Sequence, residues 1–221
     1  MTLCSVVATD DPGEGTQLMP HPDSAPPAGG ISGAFTAVMG GLATSVTVVG
    51  AAHDGDRAAQ TVSAMCSVSA EPPMLLVCVH RRSPVNALIR DSGRFSVNVL
   101  ATRHDHVADT FAGRPWPGKQ RWDFTCGEWV GSDSGTPRLA DALAFFDCAA
   151  HSTVEAGSHL VHIGRINTVR SEPGTPLIYA GRTYAAPSPV PPSRFPDFPD
   201  AHPDNRYVPE QQAPARREAS A

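Results

Sequence analysis

Two sets of residues in this 221-residue chain have the types and spacing to do chemistry: paired histidines and a run of small hydroxyl side chains. The histidine pairs fail as metal ligands on geometry. His104 and His106 stand two apart in a predicted helix, where such positions do not share a face. His159 and His162 stand three apart in a predicted strand, where they point to opposite faces, so no metal site is expected. The stretch "GSDSG" at 131–135 has the outline of a serine-hydrolase loop, but its third place is Asp133 rather than Ser, and no strand is expected before it. No G-x-G-x-x-G follows a strand pattern and no G-x-x-x-x-G-K-[ST] occurs, which sets aside the Rossmann and P-loop nucleotide folds.

The hydroxyl run is "TVSAMCSVSAEPPMLLVCVHRRS", from Thr61 to Ser83. Small residues let a backbone approach a flat ligand closely, and short hydroxyls with nearby N–H groups offer it hydrogen bonds. Read alone, such a Ser/Thr-rich strand is more often a solvent-facing part of a sheet than a ligand site. Arg81, Arg82 and Ser83 then precede "PVNALIR", a predicted helix whose unpaired N–H groups and dipole favour an anion. By themselves the two arginines also read as an ordinary solvated pair.

Those residues need elements to hold them. Ser32 as N-cap and the spacing of Phe35, Val38, Met39 and Leu42 predict a short first helix ending at Gly40-Gly41. "TSVTVVGAA" and "RAAQTVSAM" read as strands joined by the Asp-Gly turn in "HDGD". "PMLLVCV" suits a strand buried on both faces. Ser83 as N-cap, Pro84, Val85, Leu88, Ile89 and the terminator Gly93 predict a second helix, followed by "RFSVNVL", whose alternation of Phe95, Val97 and Val99 with Ser96 and Asn98 predicts a half-buried strand. Thr102 is placed as the N-cap of a third helix with Val107 and Phe111 inward. The region from Leu143 to Tyr184 breaks into β segments at Gly157, Pro173-Gly174 and Gly181. Many short strands with hairpin turns and few helices predict an antiparallel barrel.

Composition bounds the partners. With 41% hydrophobic and 18% charged residues the chain can bury a substantial core, and a formal charge of -5 argues against nucleic acid or an anionic membrane surface as partner. Five cysteines without a C-x-x-C pair fit reduced thiols in the cytoplasm. No secretion signal or membrane span is expected, the longest apolar run, "MLLVCV", being far below the ~20 residues of a span. Both ends, 1–30 and 186–221, are rich in proline and are expected to be extended or disordered; the second reads as a solvated tail, with Phe195, Phe198 and Tyr207 the residues that would lay it along a partner.

The block from Gly40 to Ala101 resembles the flavin reductase family that supplies reduced flavin to two-component monooxygenases, whose core reads T-x-S-[AS]-[FM]-x-S-V-S-x-[DE]-P-P. Here it stands as Thr61, Ser63, Ala64, Met65, Ser67, Val68, Ser69, Glu71, Pro72 and Pro73. "EAGSHLVHIGRINTVR" and "PLIYAGRTY" are similar to the family's G-[DS]-H strand and its closing motif, so the likeness covers residues 31–185. Met65, Cys66 and His162 depart from the usual pattern. The resemblance implies a mainly β split barrel with short helices, an antiparallel Greek-key FMN-binding homodimer. It implies FMN or FAD as bound substrate, NADH or NADPH as hydride donor with NADH the expected one, and a monooxygenase that receives the reduced flavin. It assigns Thr61, Ser63, Ala64, Met65, Cys66, Ser67 and Val68 to the flavin ring and ribityl chain, with Thr44 and Ser45 nearby. Arg81, Arg82 and Ser83 are assigned to the phosphate and His159 to the nicotinamide side. A flavin- or heme-binding barrel without turnover, or one like pyridoxamine-phosphate oxidase, are the alternatives.

Overall fold

The computed structural model describes residues 30–189. The expectations for residues 1–29 and for the proline-rich stretch with Phe195, Phe198 and Tyr207 lie outside the described residues. In chain order the elements are α1 (Gly30–Gly41), β1 (Thr44–Ser45), β2 (Thr47–His53), β3 (Asp56–Val62), β4 (Met65–Ala70), β5 (Pro73–His80), α2 (Val85–Ser92) and β6 (Arg94–Val99). A 3-10 turn at Thr102–His104 leads into α3 (Asp105–Phe111). Then follow β7 (Trp129–Gly131), β8 (Pro137–Leu139), β9 (Ala144–Ala156), β10 (His159–Ser171), β11 (Ile178–Ala180) and β12 (Thr183–Ala185).

Seven strands make one antiparallel sheet in the order β3-β2-β6-β9-β10-β5-β4; β1, β11 and β12 form a second sheet, and β7 and β8 a hairpin. No ladder joins β3 to β4, so the large sheet is open rather than a closed barrel. The Asp-Gly turn forms as expected: Asp54 and Gly55 have φ of 48° and 88°, the left-handed pair that matches the twist of a two-residue hairpin. The sheet buries one apolar cluster around Val49, Leu75, Val77, Phe95 and Val97 under α2, and a second around Val48, Leu100, Phe111 and Leu139 under α3.

Several local expectations are corrected. α1 begins at Gly30, ahead of Ser32, and buries none of its residues, so its apolar stripe faces away from this chain's core. The expected strand "RAAQTVSAM" breaks at Ser63-Ala64, where the chain leaves β3 at one edge of the sheet and enters β4 at the other. β5 is not buried on both faces: Leu75, Val77 and Val79 face the core, while Met74, Leu76, Cys78 and His80 are partly exposed. Proline's own φ of -64° moves the cap of α2 to Pro84, and Ser83 Oγ accepts from Val85 N–H at 3.4 Å. α3 starts at Asp105 rather than after Thr102, because His104 Nδ1 accepts from Ala101 N–H and tightens the first turn. A short strand, β7, does precede "GSDSG", which is a hairpin turn. There Ser134 and Thr136 donate to Asp147 at 2.6 and 3.0 Å, with no histidine among these partners.

β6 is buried on both faces instead of one. Its polar residues face the β7–β8 hairpin: Asn98 Nδ2 donates to Val48 O and Pro137 O, its Oδ1 accepts from Leu139 N–H at 2.8 Å, and Ser96 Oγ donates to Pro137 O at 2.6 Å. Asn98 thus satisfies buried backbone groups on both sides of the strand. Asn98→Ala should cost roughly 1–3 kcal/mol in denaturant unfolding, because it strands the Leu139 N–H in a dry interior. Gly164 sits at a bulge between β9 and β10, where a Cβ would lie 2.4 Å from the Phe95 ring. Gly164→Ala should destabilise by about 1–3 kcal/mol through overpacking, read as a lowered urea midpoint at unchanged m-value.

Candidate functional site

The break at Ser63-Ala64 brings the end of β3, the start of β4, the end of β5 and the first turn of α2 into one region, tied where Cys78 N–H donates to Ala64 O at 3.0 Å. A cavity of about 750 Å³ opens between β3 and α2. Its walls are Ala58, Ala59, Ala87 and Ala112 with Leu88, Phe111 and Trp122, and its polar groups come from Asp56, Arg57, Gln60, His80, Arg82 and Ser83. A second cavity, of about 420 Å³, shares Gln60 and His80 with the first and is lined by Thr61, Ser63, Ala64, Cys78 and His159. A third, of about 260 Å³, adjoins at Thr61 and Ser63 beside Tyr179, Tyr184 and Arg114.

The residues expected at a ligand site divide accordingly. Thr61, Ser63, Ala64 and His159 meet in the second cavity and Arg82 and Ser83 reach the first. Thr61 Oγ1 is already engaged, donating to Ala108 O at 2.7 Å. Thr44 and Ser45 pair with β11 and line none of these cavities. Met65 packs half-buried against the core, whereas Cys66, Ser67 and Val68 lie exposed on β4 at the sheet edge, with Val68 47% exposed. Arg81 turns the other way, donating to Gly157 O at 3.2 Å in the β9–β10 turn and lining a separate cavity behind α2. Gln60, Arg57, Trp122 and His80 also line these cavities, though no motif in the sequence singles them out. The alternation along β5 was the available signal for His80, since it puts that residue on the face of Cys78.

Electrostatics at the site are set by fixed partners. Arg57 lies over the Phe124 ring at 4.1 Å, which holds its guanidinium at the rim. His80 is paired across the strands with His159 and their rings meet edge-on at 5.3 Å. His159 Nδ1 lies 2.9 Å from Ser158 Oγ. Tyr184 donates to Asp109 at 2.9 Å, and burial with that carboxylate pushes its phenol up to about 12. Burial raises the Cys78 thiol above its usual range, which keeps it protonated. The lining provides donors, three guanidinium groups (Arg57, Arg82 and Arg114), the Asp56 carboxylate and an imidazole pair around small-residue walls, with no nucleophile held against a base. Such a lining suits a flat, anionic ligand. The residues present are compatible with a flavin: the alanine walls leave room for a planar ring, and Arg57, Arg82 and the start of α2 line the same cavity as cationic and N–H groups suited to a phosphate.

A flavin reductase like domain matches residues 39–188 of the chain. The chain is 40% identical over 152 residues to an NADH-dependent FMN reductase of Methylorubrum extorquens, covering 68% of this chain and 74% of that protein. It is 34% identical over 145 residues to the reductase component of a 4-nitrophenol 4-monooxygenase/4-nitrocatechol 2-monooxygenase from Rhodococcus opacus, covering 66% and 75%. Among solved structures, the NADH:FAD oxidoreductase of Streptomyces globisporus superposes with a TM-score of 0.62 at 30% identity, covering 70% of this chain and 92% of that one. The motifs around Thr61–Pro73 and Gly157–Tyr184 therefore sit in a chain that belongs to the flavin reductase like domain family.

Proposed function

We propose that the chain is an NADH-dependent flavin reductase that releases reduced FMN or FAD to a separate flavin-dependent monooxygenase. The observation that carries this reading is the junction at Gln60 and His80. There a cavity walled by alanines meets a second one holding Ser63, Ala64 and His159, so a ring and a second ring can be stacked side by side. The names of the relatives, an NADH-dependent FMN reductase and a monooxygenase reductase component, support it. A bound flavin supplies N5 as the acceptor of hydride from nicotinamide C4.

The protein's work is positioning, because hydride transfer needs the rings at about 3–3.5 Å and no covalent nucleophile. Ser63 and Ala64 allow close approach to the ring, with Thr61 holding their turn against α3. Arg82, Ser83 and the N–H groups opening α2 take the phosphate. Leu88, Phe111 and Trp122 exclude water from one wall, which strengthens every polar contact inside. His159 hydrogen-bonds the nicotinamide carboxamide or the pyrophosphate of the dinucleotide.

In this reading the flavin-binding domain spans residues 31–185 as a split barrel, flanked by segments 1–30 and 186–221. The single step from β3 to β4 across the open sheet supports the barrel. The domain works as a homodimer. Supporting that, Phe35 and Val38 of α1 are each 65% exposed on a stripe continued by Ile31, Met39 and Leu42, an apolar face this chain's core leaves uncovered. A cytoplasmic setting suits the free thiols of Cys66, Cys78, Cys126 and Cys148. No helix among the described residues is long and apolar enough to cross a membrane.

Mixing the protein with FMN or FAD and with NADH or NADPH should bleach the absorbance near 450 nm, with NADH the faster donor. Flavin binding without NADH-dependent bleaching would overturn the reductase reading. His159→Ala should raise the KM for NADH about tenfold at similar flavin affinity, the loss of one well-placed hydrogen bond; unchanged KM and kcat would remove that role. Light scattering should give about twice the 23.2 kDa chain mass, and Phe35→Asp with Val38→Asp should shift it towards the single chain.

A further inference from the structure

Behind the turn that carries His80 runs a part-buried chain of hydrogen bonds, centred on buried His162, that the reductase chemistry does not use. Thr153 on β9 and His162 on β10 are cross-strand partners, with Thr153 Oγ1 3.0 Å from His162 Nδ1. His162 Nε2 lies 2.8 Å from Asn86 Oδ1 in the first turn of α2, and Asn86 Nδ2 donates to His80 O at 2.9 Å. The direction of the chain follows from its ends. Because Asn86 spends its amide on the His80 carbonyl, its oxygen must accept from His162 Nε2–H, which leaves His162 Nδ1 to accept from the Thr153 hydroxyl. His162 is only 2% exposed, and burial holds its imidazole below the ordinary histidine range, so it is neutral as this pattern requires.

The far end of the chain is an ordered turn. The same His80 carbonyl accepts from Ser83 N–H at 2.8 Å, and His80 Nδ1 accepts from Arg82 N–H at 3.2 Å. An imidazole that accepts at Nδ1 carries its proton at Nε2 when neutral. Among the described residues that Nε2 has no hydrogen-bond partner, and His80 is the side chain shared, with Gln60, by the two cavities. His159, its edge-on neighbour, faces only the second.

We propose that His80 is a ligand-contacting donor at the junction of the two cavities, and that buried His162, acting through Asn86, is the positioning residue that holds its turn. The inference rests on the groove being the flavin site. It gives a physical task to His162, one of the residues by which this chain departs from its family's pattern. A phenylalanine there would fill the space but leave Asn86 Oδ1 without a donor, freeing the amide to rotate away from His80 O.

The test measures flavin dissociation constants by fluorescence quenching with FMN and with FAD, beside thermal unfolding and the 15N imidazole spectrum of His80. His80→Ala should weaken flavin binding about tenfold, the loss of one donor. His162→Phe and Asn86→Ala should weaken it by a similar factor and turn the His80 spectrum from the Nε2–H tautomer to a mixture. His162→Gln, which keeps a donor towards Asn86, should restore most of the affinity, and His80→Ala with His162→Phe together should bind no more weakly than His80→Ala alone. If His162→Phe lowers the melting temperature but leaves affinity and the His80 tautomer unchanged, the positioning role is overturned. Unchanged affinity in His80→Ala overturns the contact while flavin binding by the wild type still supports the reductase reading. Failure of the wild type to bind either flavin overturns that reading and this inference with it.

Discussion

The structure depends on one geometric constraint: the chain must cross from one edge of a seven-stranded sheet to the other in the two residues Ser63 and Ala64. Laid flat, strands about 4.8 Å apart would separate those edges by roughly 29 Å, whereas two residues span only about 7 Å. The sheet must therefore curl until β3 comes near β4 and β5, and the hydrogen bond from Cys78 to Ala64 shows the linking residues already joined to β5. That curl makes the concave space between β3, β5 and α2 in which the cavities lie. Twisted sheets bend readily because each strand is already rotated against the next, so the constraint deepens a tendency the backbone has.

Curling needs both faces of the middle strands covered. α2 closes one face over Val49, Phe95 and Val97, while α3 and the β7–β8 hairpin close the other. The second closure is polar: Asn98 and Ser96 supply hydrogen bonds to the hairpin backbone that a hydrocarbon side chain would leave unmet. Close packing inside the curl reaches its limit at Gly164, where the Phe95 ring takes the volume of a side chain.

The site inherits its rigidity from this frame. Its polar groups are carried at the ends of strands and in the turn before a helix, so the backbone positions of Arg57, Gln60, His80 and Ser83 are set by ladders and capping. Arg57 is held by Phe124, Thr61 by α3, and the His80 turn by Ser83 and Asn86. A protein whose chemistry is the alignment of two rings has most to gain from such fixing, since the reacting distance tolerates little error.

Much of this was readable from residue order alone. The Asp54-Gly55 hairpin, the helix ended by Gly93, the breaks at Gly157 and Gly181 and the family likeness through Thr61–Pro73 are local chemistry, in which a turn residue or a periodic apolar stripe decides the backbone within a few positions. Tertiary structure decided what depends on distant partners. Ser96 and Asn98 look like the solvent face of a strand until a hairpin about forty residues later covers them. "TVSAM" looks like one strand until pairing with β5 claims its second half, and the same event sends Cys66, Ser67 and Val68 to an exposed edge while Ser63 and Ala64, also exposed, line the second cavity. Alternation could place His159 and His162 on opposite faces but not say which was buried, because burial comes from α2 packing on β10's inner side. Residue types and their order specify turns, periods and family. Which face is covered, and so which polar groups are held for a ligand or for the core, is a property of the packed sheet.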